Sequence, residues 1–234
     1  MNLTTTALPF LRYLDAWYNA LPSVALTELI DGRPAHIALV SVDMIDGFCT
    51  EGPLAGARVG ALKRPVAELF QRAHDAGVRA FALTQDTHPH DTPEFASYPP
   101  HCIAGTPESR AVAELRALPF YSETLTFEKN SLSSHIGTGF GAWVCDNTQI
   151  DTFVIVGDCT DLCIYSAAMH LRMEANAAGI RRRVVVPAAV VDTFDTPVDV
   201  AQQFGIKAHD ADLHHALFLH HMTQNGVEVI AALT

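Results

Sequence analysis

The sequence predicts an α/β protein, a three-layer α/β/α sandwich on a mostly parallel six-stranded sheet. Three observations carry this expectation. Short apolar runs alternate with longer stretches of helical period, the pattern of repeated βαβ units. The runs are rich in Val, Ile and Ala without polar alternation, which suits strands covered on both faces. Hydrophobic residues make up 49% of the 234 and charged residues 18%, a balance that supports a core and argues against a disordered chain.

Taken in order, the predicted strands are His36–Val42, Val78–Leu83, Glu123–Phe127, Thr152–Val156, Arg183–Val190 and Val227–Ala232. The clearest helix is Ala61–Ala76, where Leu62, Val66, Leu69, Phe70 and Ala73 recur at three- and four-residue steps and Gly77 stands where a C-terminal glycine ends a helix. Thr160–Ala178 and Ala208–Gln224 are the other long helical stretches. Residues 1–34 read as an extension with one helix, Phe10–Leu21, packed on the body. Neither a Ser/Gly/Pro linker nor a fixed-period repeat divides the chain, so one domain is expected over 1–234.

Fifteen Lys and Arg against 26 Asp and Glu leave a formal net charge of −11. Such an acidic chain lacks the positive charge that neutralises phosphates, so neither nucleic acid nor an anionic membrane surface is an expected partner. The longest apolar run is strand-sized, and no basic segment followed by an apolar one marks a secretion signal. Five cysteines, an odd number in a chain with a sufficient core, fit reduced thiols in a cytoplasm better than a disulfide framework.

An open parallel sheet binds its ligand beyond the carboxyl ends of its strands. The residues there are chemically loaded: Asp43 after the first strand, Asp86 and His88 after the second, Lys129 after the third, and Cys159 to Cys163 after the fourth. Cys163 opens a predicted helix that Thr160 or Asp161 can cap. A positive helix terminus favours thiolate, and its free N–H groups suit an oxyanion. The same cysteine also reads as a small buried apolar residue, and Asp43 with Lys129 as a structural ion pair; the three on one edge make a Cys–Asp–Lys constellation the sharper hypothesis. Cys159 fits an oxyanion pocket through its backbone.

Asp86-x-His88 places two donors on one side of a strand end. His101, thirteen residues on in Tyr98-Pro99-Pro100-His101, adds a second imidazole, and Glu94 is a fourth candidate. Two histidines and a carboxylate suit zinc, iron or manganese with positions left open. His90 and Asp91 rank lower. His209, His214, His215, His220 and His221 lack the i, i+4 spacing of a helical metal site and read as a solvated or partner-facing surface. Gly137 to Gly141 lacks the spacing of a nucleotide loop.

From about Ile37 onward these motifs resemble the isochorismatase-like cysteine hydrolases, and most of all the nicotinamidases. The resemblance rests on Val42-Asp43-Met44-Ile45-Asp46-Gly47-Phe48-Cys49, on Thr84-Gln85-Asp86-Thr87-His88-Pro89 with Tyr98-Pro99-Pro100-His101-Cys102, on Lys129, and on Gly157-Asp158-Cys159-Thr160-Asp161-Leu162-Cys163. It implies Asp43, Lys129 and Cys163 as catalytic residues, the backbone N–H groups of Cys159 and Cys163 as an oxyanion hole, and Phe48 and Tyr98 about the substrate ring. It further implies one divalent metal ion, zinc before iron or manganese, on Asp86, His88, His101 and Glu94, and a cis peptide bond before Cys159. The implied reaction is deamidation of nicotinamide to nicotinate and ammonia through a Cys163 thioester, in NAD salvage, by a homo-oligomer. Thr87 and Tyr98 depart from the aromatic residue and the tryptophan common at those places. Rivals are another amidase or ureido-hydrolase of the superfamily, separable by metal content, and a silent binding module.

Overall fold

A computed structural model describes residues 2–234. Seven strands form the sheet: β1 Ile37–Val42, β2 Ala80–Asp86, β3 Leu125–Lys129, β4 Thr152–Asp158, β5 Arg183–Pro187, β6 Val191–Asp192 and β7 Glu228–Ile230. Their order is β3-β2-β1-β4-β5-β7, with β6 beside the end of β4, and every pairing is parallel. One strand more is present than the sequence predicts. The expected run Arg183–Val190 stops at Pro187, a tight turn occupies Ala188–Val190, and the chain then pairs again with β4 through Gly157↔Val191 and Asp158↔Asp192.

The longer helices are α1 Leu8–Asn19, α2 Lys63–Asp75, α3 Phe140–Asp146, α4 Tyr165–Ala178, α5 Val198–Phe204 and α6 Ala211–Gln224. Side chains alternate across a strand, so Leu39 packs with Phe70 and Phe81 in one cluster while Val40 packs with Phe153, Ile155 and Leu219 in another. Two clusters on opposite faces make the three layers. Gly77, at φ 98°, ends α2 while its N–H donates to His74 O, and β2 follows directly.

Strand ends differ from the sequence reading. β2 continues to Asp86 and β3 runs Leu125–Lys129, since these polar ends are buried at a common site; β3 is also an edge strand with Leu125 exposed, not covered on both faces. The N-terminal helix α1 contacts α6: Trp17 meets His220 edge-on at 5.0 Å, and Tyr18 Oη lies 3.1 Å from His215 Nε2. His215 and His220 are therefore buried beneath α1, which corrects their reading as a solvated or partner-facing surface. The order reverses between β1 and β4, so ligand chemistry is expected beyond Val42 and Asp158.

Candidate active site

Backbone geometry at the switch point brings the loaded residues inward. Gly157 has φ 112°, and a Cβ there would stand 2.0 Å from Val42 O, so only glycine lets β4 close against β1. Asp43 leaves β1 at φ 55° with its N–H donating to Thr84 O. The Asp158–Cys159 peptide bond is cis, as the resemblance implies.

Lys129 Nζ reaches Asp43 Oδ2 at 2.8 Å, Asp86 Oδ1 at 2.5 Å, Ser131 O at 3.2 Å and Cys163 Sγ at 3.5 Å. Asp43 Oδ1 accepts the Asp86 N–H at 2.8 Å. Asp43, Asp86 and Cys163 present ligand atoms within 4.8 Å of one another, and all are buried. The three side chains proposed from the sequence thus share one buried site, with Asp86 as a fourth member.

Burial opposes the Lys129 charge, but Asp43, Cys163 and Asp86 together raise its pKa, so it stays an ammonium. Burial first, and Asp86 second, push Asp43 up to about 6 against the pull of Lys129, which suits a base working near neutral pH. Burial also pushes the Cys163 thiol up, with Lys129 acting against it. That direction is opposite to the expectation of a thiolate favoured by a helix terminus, and it leaves the proton of Cys163 to be drawn off by a base beside it, the place Asp43 occupies. The capping expectation changes too. Cys163 sits in a π-helical turn, Thr160–Ile164, with no side-chain cap. Thr160 Oγ1 instead bonds His215 Nδ1 at 2.8 Å, and Asp161 turns to Thr193 and His209.

Beside this group, Asp86, His88, Glu94 and His101 hold ligand atoms within 4.8 Å of one another. Their second contacts fit a cation. His88 Nδ1 meets Asn130 Oδ1 at 2.7 Å and His101 Nδ1 meets Pro99 O at 2.8 Å; with Nδ1–H donating in each, both Nε2 lone pairs are left for a metal. His88 Nε2 is fully buried with no hydrogen-bond partner, and Asp86 Oδ2 stands 3.6 Å away. Two imidazoles with one or two carboxylates suit zinc. His90 and Asp91 are exposed and outside the cluster.

Phe48 and Tyr98 both flank His101, with ring centroids at 5.6 and 6.2 Å. Phe95, not singled out in the sequence, lies 5.5 Å from His88 and 5.6 Å from His101. Asn130 was also missed; its place directly after Lys129, at a strand end among ligand candidates, was the available signal.

A buried thiol, carboxylate and ammonium at the switch point of a parallel sheet form the kind of site found in cysteine hydrolases, with a cluster of possible cation ligands alongside. Residues 37–232 match the family model described as the isochorismatase domain. Over 223 residues the chain is 30% identical to Nicotinamidase 1 of Arabidopsis thaliana, covering 88% of this chain and 90% of that protein. Its fold is similar to pyrazinamidase/nicotinamidase from Streptococcus mutans, at TM-score 0.64 and 24% identity over 83% of this chain and 99% of that one. The same TM-score, 0.64, relates its fold to the pyrazinamidase of Pyrococcus horikoshii solved in complex with zinc, at 20% identity over 83% of this chain and 98% of that one. The chain belongs to the isochorismatase family and is a hydrolase.

Proposed function

We propose that the protein is a metal-dependent cysteine amidohydrolase that converts nicotinamide and water to nicotinate and ammonia, a step in NAD salvage, with a zinc ion on Asp86, His88, His101 and Glu94. The observation that carries this reading is the Lys129 ammonium between Asp43 and Cys163, at 2.8 and 3.5 Å, next to a four-residue donor cluster. The nicotinamidase relative aligned over most of both chains supports the substrate.

The chemistry follows from the residues. Asp43 takes the Cys163 proton as sulfur bonds to the carboxamide carbon. The oxyanion that forms faces the Cys159 and Cys163 N–H groups. Asp43 returns the proton to the departing nitrogen, the C–N bond breaks, and ammonia leaves a thioester. Asp43 then takes a proton from water as its oxygen bonds to the acyl carbon, and the sulfur departs and is reprotonated. Lys129 holds Asp43 in place and keeps a positive charge facing the sulfur throughout. Phe48 and Tyr98 bracket the ring. The metal, when bound, supplies a Lewis-acid contact that orients the substrate's ring nitrogen. Ammonia release from nicotinamide, measured with and without chelator, tests the proposal: release abolished by chelator and restored by zinc is expected. Release from a small ureido or acyclic amide in place of nicotinamide would transfer the reading to another amidase of the family.

A further inference from the structure

One buried polar network adjoins the nucleophile turn and has no part in the chemistry above. Asp161 lies in the first turn of Thr160–Ile164, two residues before Cys163, and is 8% exposed. Its Oδ1 accepts from Thr193 Oγ1 at 2.6 Å, and its Oδ2 lies 2.8 Å from His209 Nε2. His209 Nδ1 lies 2.9 Å from Phe194 O, so both ring nitrogens face acceptors. The ring is stacked between Phe194 and His214, with centroids at 3.9 Å on each side. The His209 backbone is pinned separately, exchanging hydrogen bonds with Thr196 at 2.8 and 2.9 Å.

An aspartate in the first turn of a helix is a natural acceptor for that turn's own N–H groups. In this turn such a contact would place an anion on the donors that must receive the oxyanion, beside the reacting sulfur. Both side chains able to do so are drawn away, Thr160 by His215 and Asp161 by Thr193 and His209. We propose that His209 is a positioning residue: it holds the Asp161 carboxylate against Thr193, and so keeps the N–H groups of the nucleophile turn open to the oxyanion. Phe194 and His214 fix the ring plane that aims Nε2 at Asp161. This rests on the thiol-amidase reading above.

The test compares His209→Ala, Asp161→Ala and the double variant with the wild type. With nicotinamide, His209→Ala should lose about tenfold or more in kcat with KM within about twofold, while Asp161→Ala stays within about threefold of wild type. The double variant should match Asp161→Ala, because removing the carboxylate removes the competitor that His209 restrains. His209→Gln, which returns one donor to Asp161, should recover part of kcat, and it carries the test if the alanine variant does not fold. A second readout needs no substrate: alkylation of Cys163 by iodoacetamide should slow in His209→Ala, as a freed carboxylate disfavours thiolate, and recover in the double variant. A double variant as slow as His209→Ala in both readouts, or a His209→Ala enzyme unchanged in both, would overturn the proposal. A wild type inert toward nicotinamide would remove the substrate assignment alone, and the alkylation series would still decide the role of His209.

Discussion

Asn130 Oδ1 lies 2.7 Å from His88 Nδ1, one residue beyond the lysine that pairs with Asp43 and Asp86. The end of β3 therefore serves both halves of the site: Lys129 faces the two carboxylates, and Asn130 sets the face of His88 that would meet the proposed cation. Thr92 Oγ1 donates to the same Oδ1 at 3.0 Å and fixes the amide.

Replacing this orienting partner tests the metal site without touching a ligand. Asn130→Ala should weaken metal binding by about 10- to 100-fold. Metal content after dialysis against graded chelator checks it, and an unchanged midpoint would count against His88 as a ligand. His88→Ala should lose the ion outright under the same dialysis.

Cys163→Ala should abolish ammonia release while leaving folding and metal content intact, because the cluster of Asp86, His88, Glu94 and His101 does not include the sulfur. Full activity in this variant would remove the nucleophile assignment.

Lys129→Met leaves two buried carboxylates facing each other without their cation. The expected loss of stability is about 3–5 kcal/mol, the usual result of breaking a buried ion pair from one side. Urea unfolding reads it, and a variant as stable as wild type would mean that Asp43 and Asp86 are held by something other than this ammonium.

Acid should destabilise the fold partly through His135. Its ring nitrogens are buried without hydrogen-bond partners, and it stacks on His170 at 3.7 Å. Burial, then the charges of His170 and Arg182, push its pKa down to about 3. The folded ring stays neutral where the unfolded one, titrating near about 6.5, takes a proton. The unfolded state thus binds more protons, so this contribution is whole above about pH 6.5 and shrinks as pH falls toward 3. His135→Phe keeps a stacking ring and removes the titration, so its urea midpoint should fall less steeply than that of wild type between about pH 6 and 4. Parallel slopes would refute the assignment.

Gly157→Ala forces a side chain onto Val42 O at a backbone angle that L-residues rarely adopt. A loss above about 3 kcal/mol, or insoluble protein, is expected, and circular dichroism with thermal melting measures it.

Local pattern settled much of this protein. Apolar runs without alternation located the buried strands, and helical periodicity located α2. The rule that ligands bind beyond strand ends pointed to Asp43, Lys129 and Cys163, and the Asp86-x-His88 spacing to the cation cluster. Strand limits slipped because Asp86 and Lys129 look like terminators one at a time, whereas together they neutralise each other and remain in the sheet. Phe95 was not legible, since a phenylalanine in a loop gains its role only from what folds against it, and Asn130 was marked only by its place directly after Lys129.

Tertiary structure decided the rest. The burial of His215 and His220 follows from where α1 lands on α6, some 200 residues away in the chain. The upward push on the Cys163 thiol follows from burial outweighing the one ammonium beside it. The direction in which Asp161 points is fixed by Thr193 and His209, both more than 30 positions distant. Periodicity reports which face of an element avoids water, but charge states and hydrogen-bond partners depend on distances that exist only once the strand ends have met.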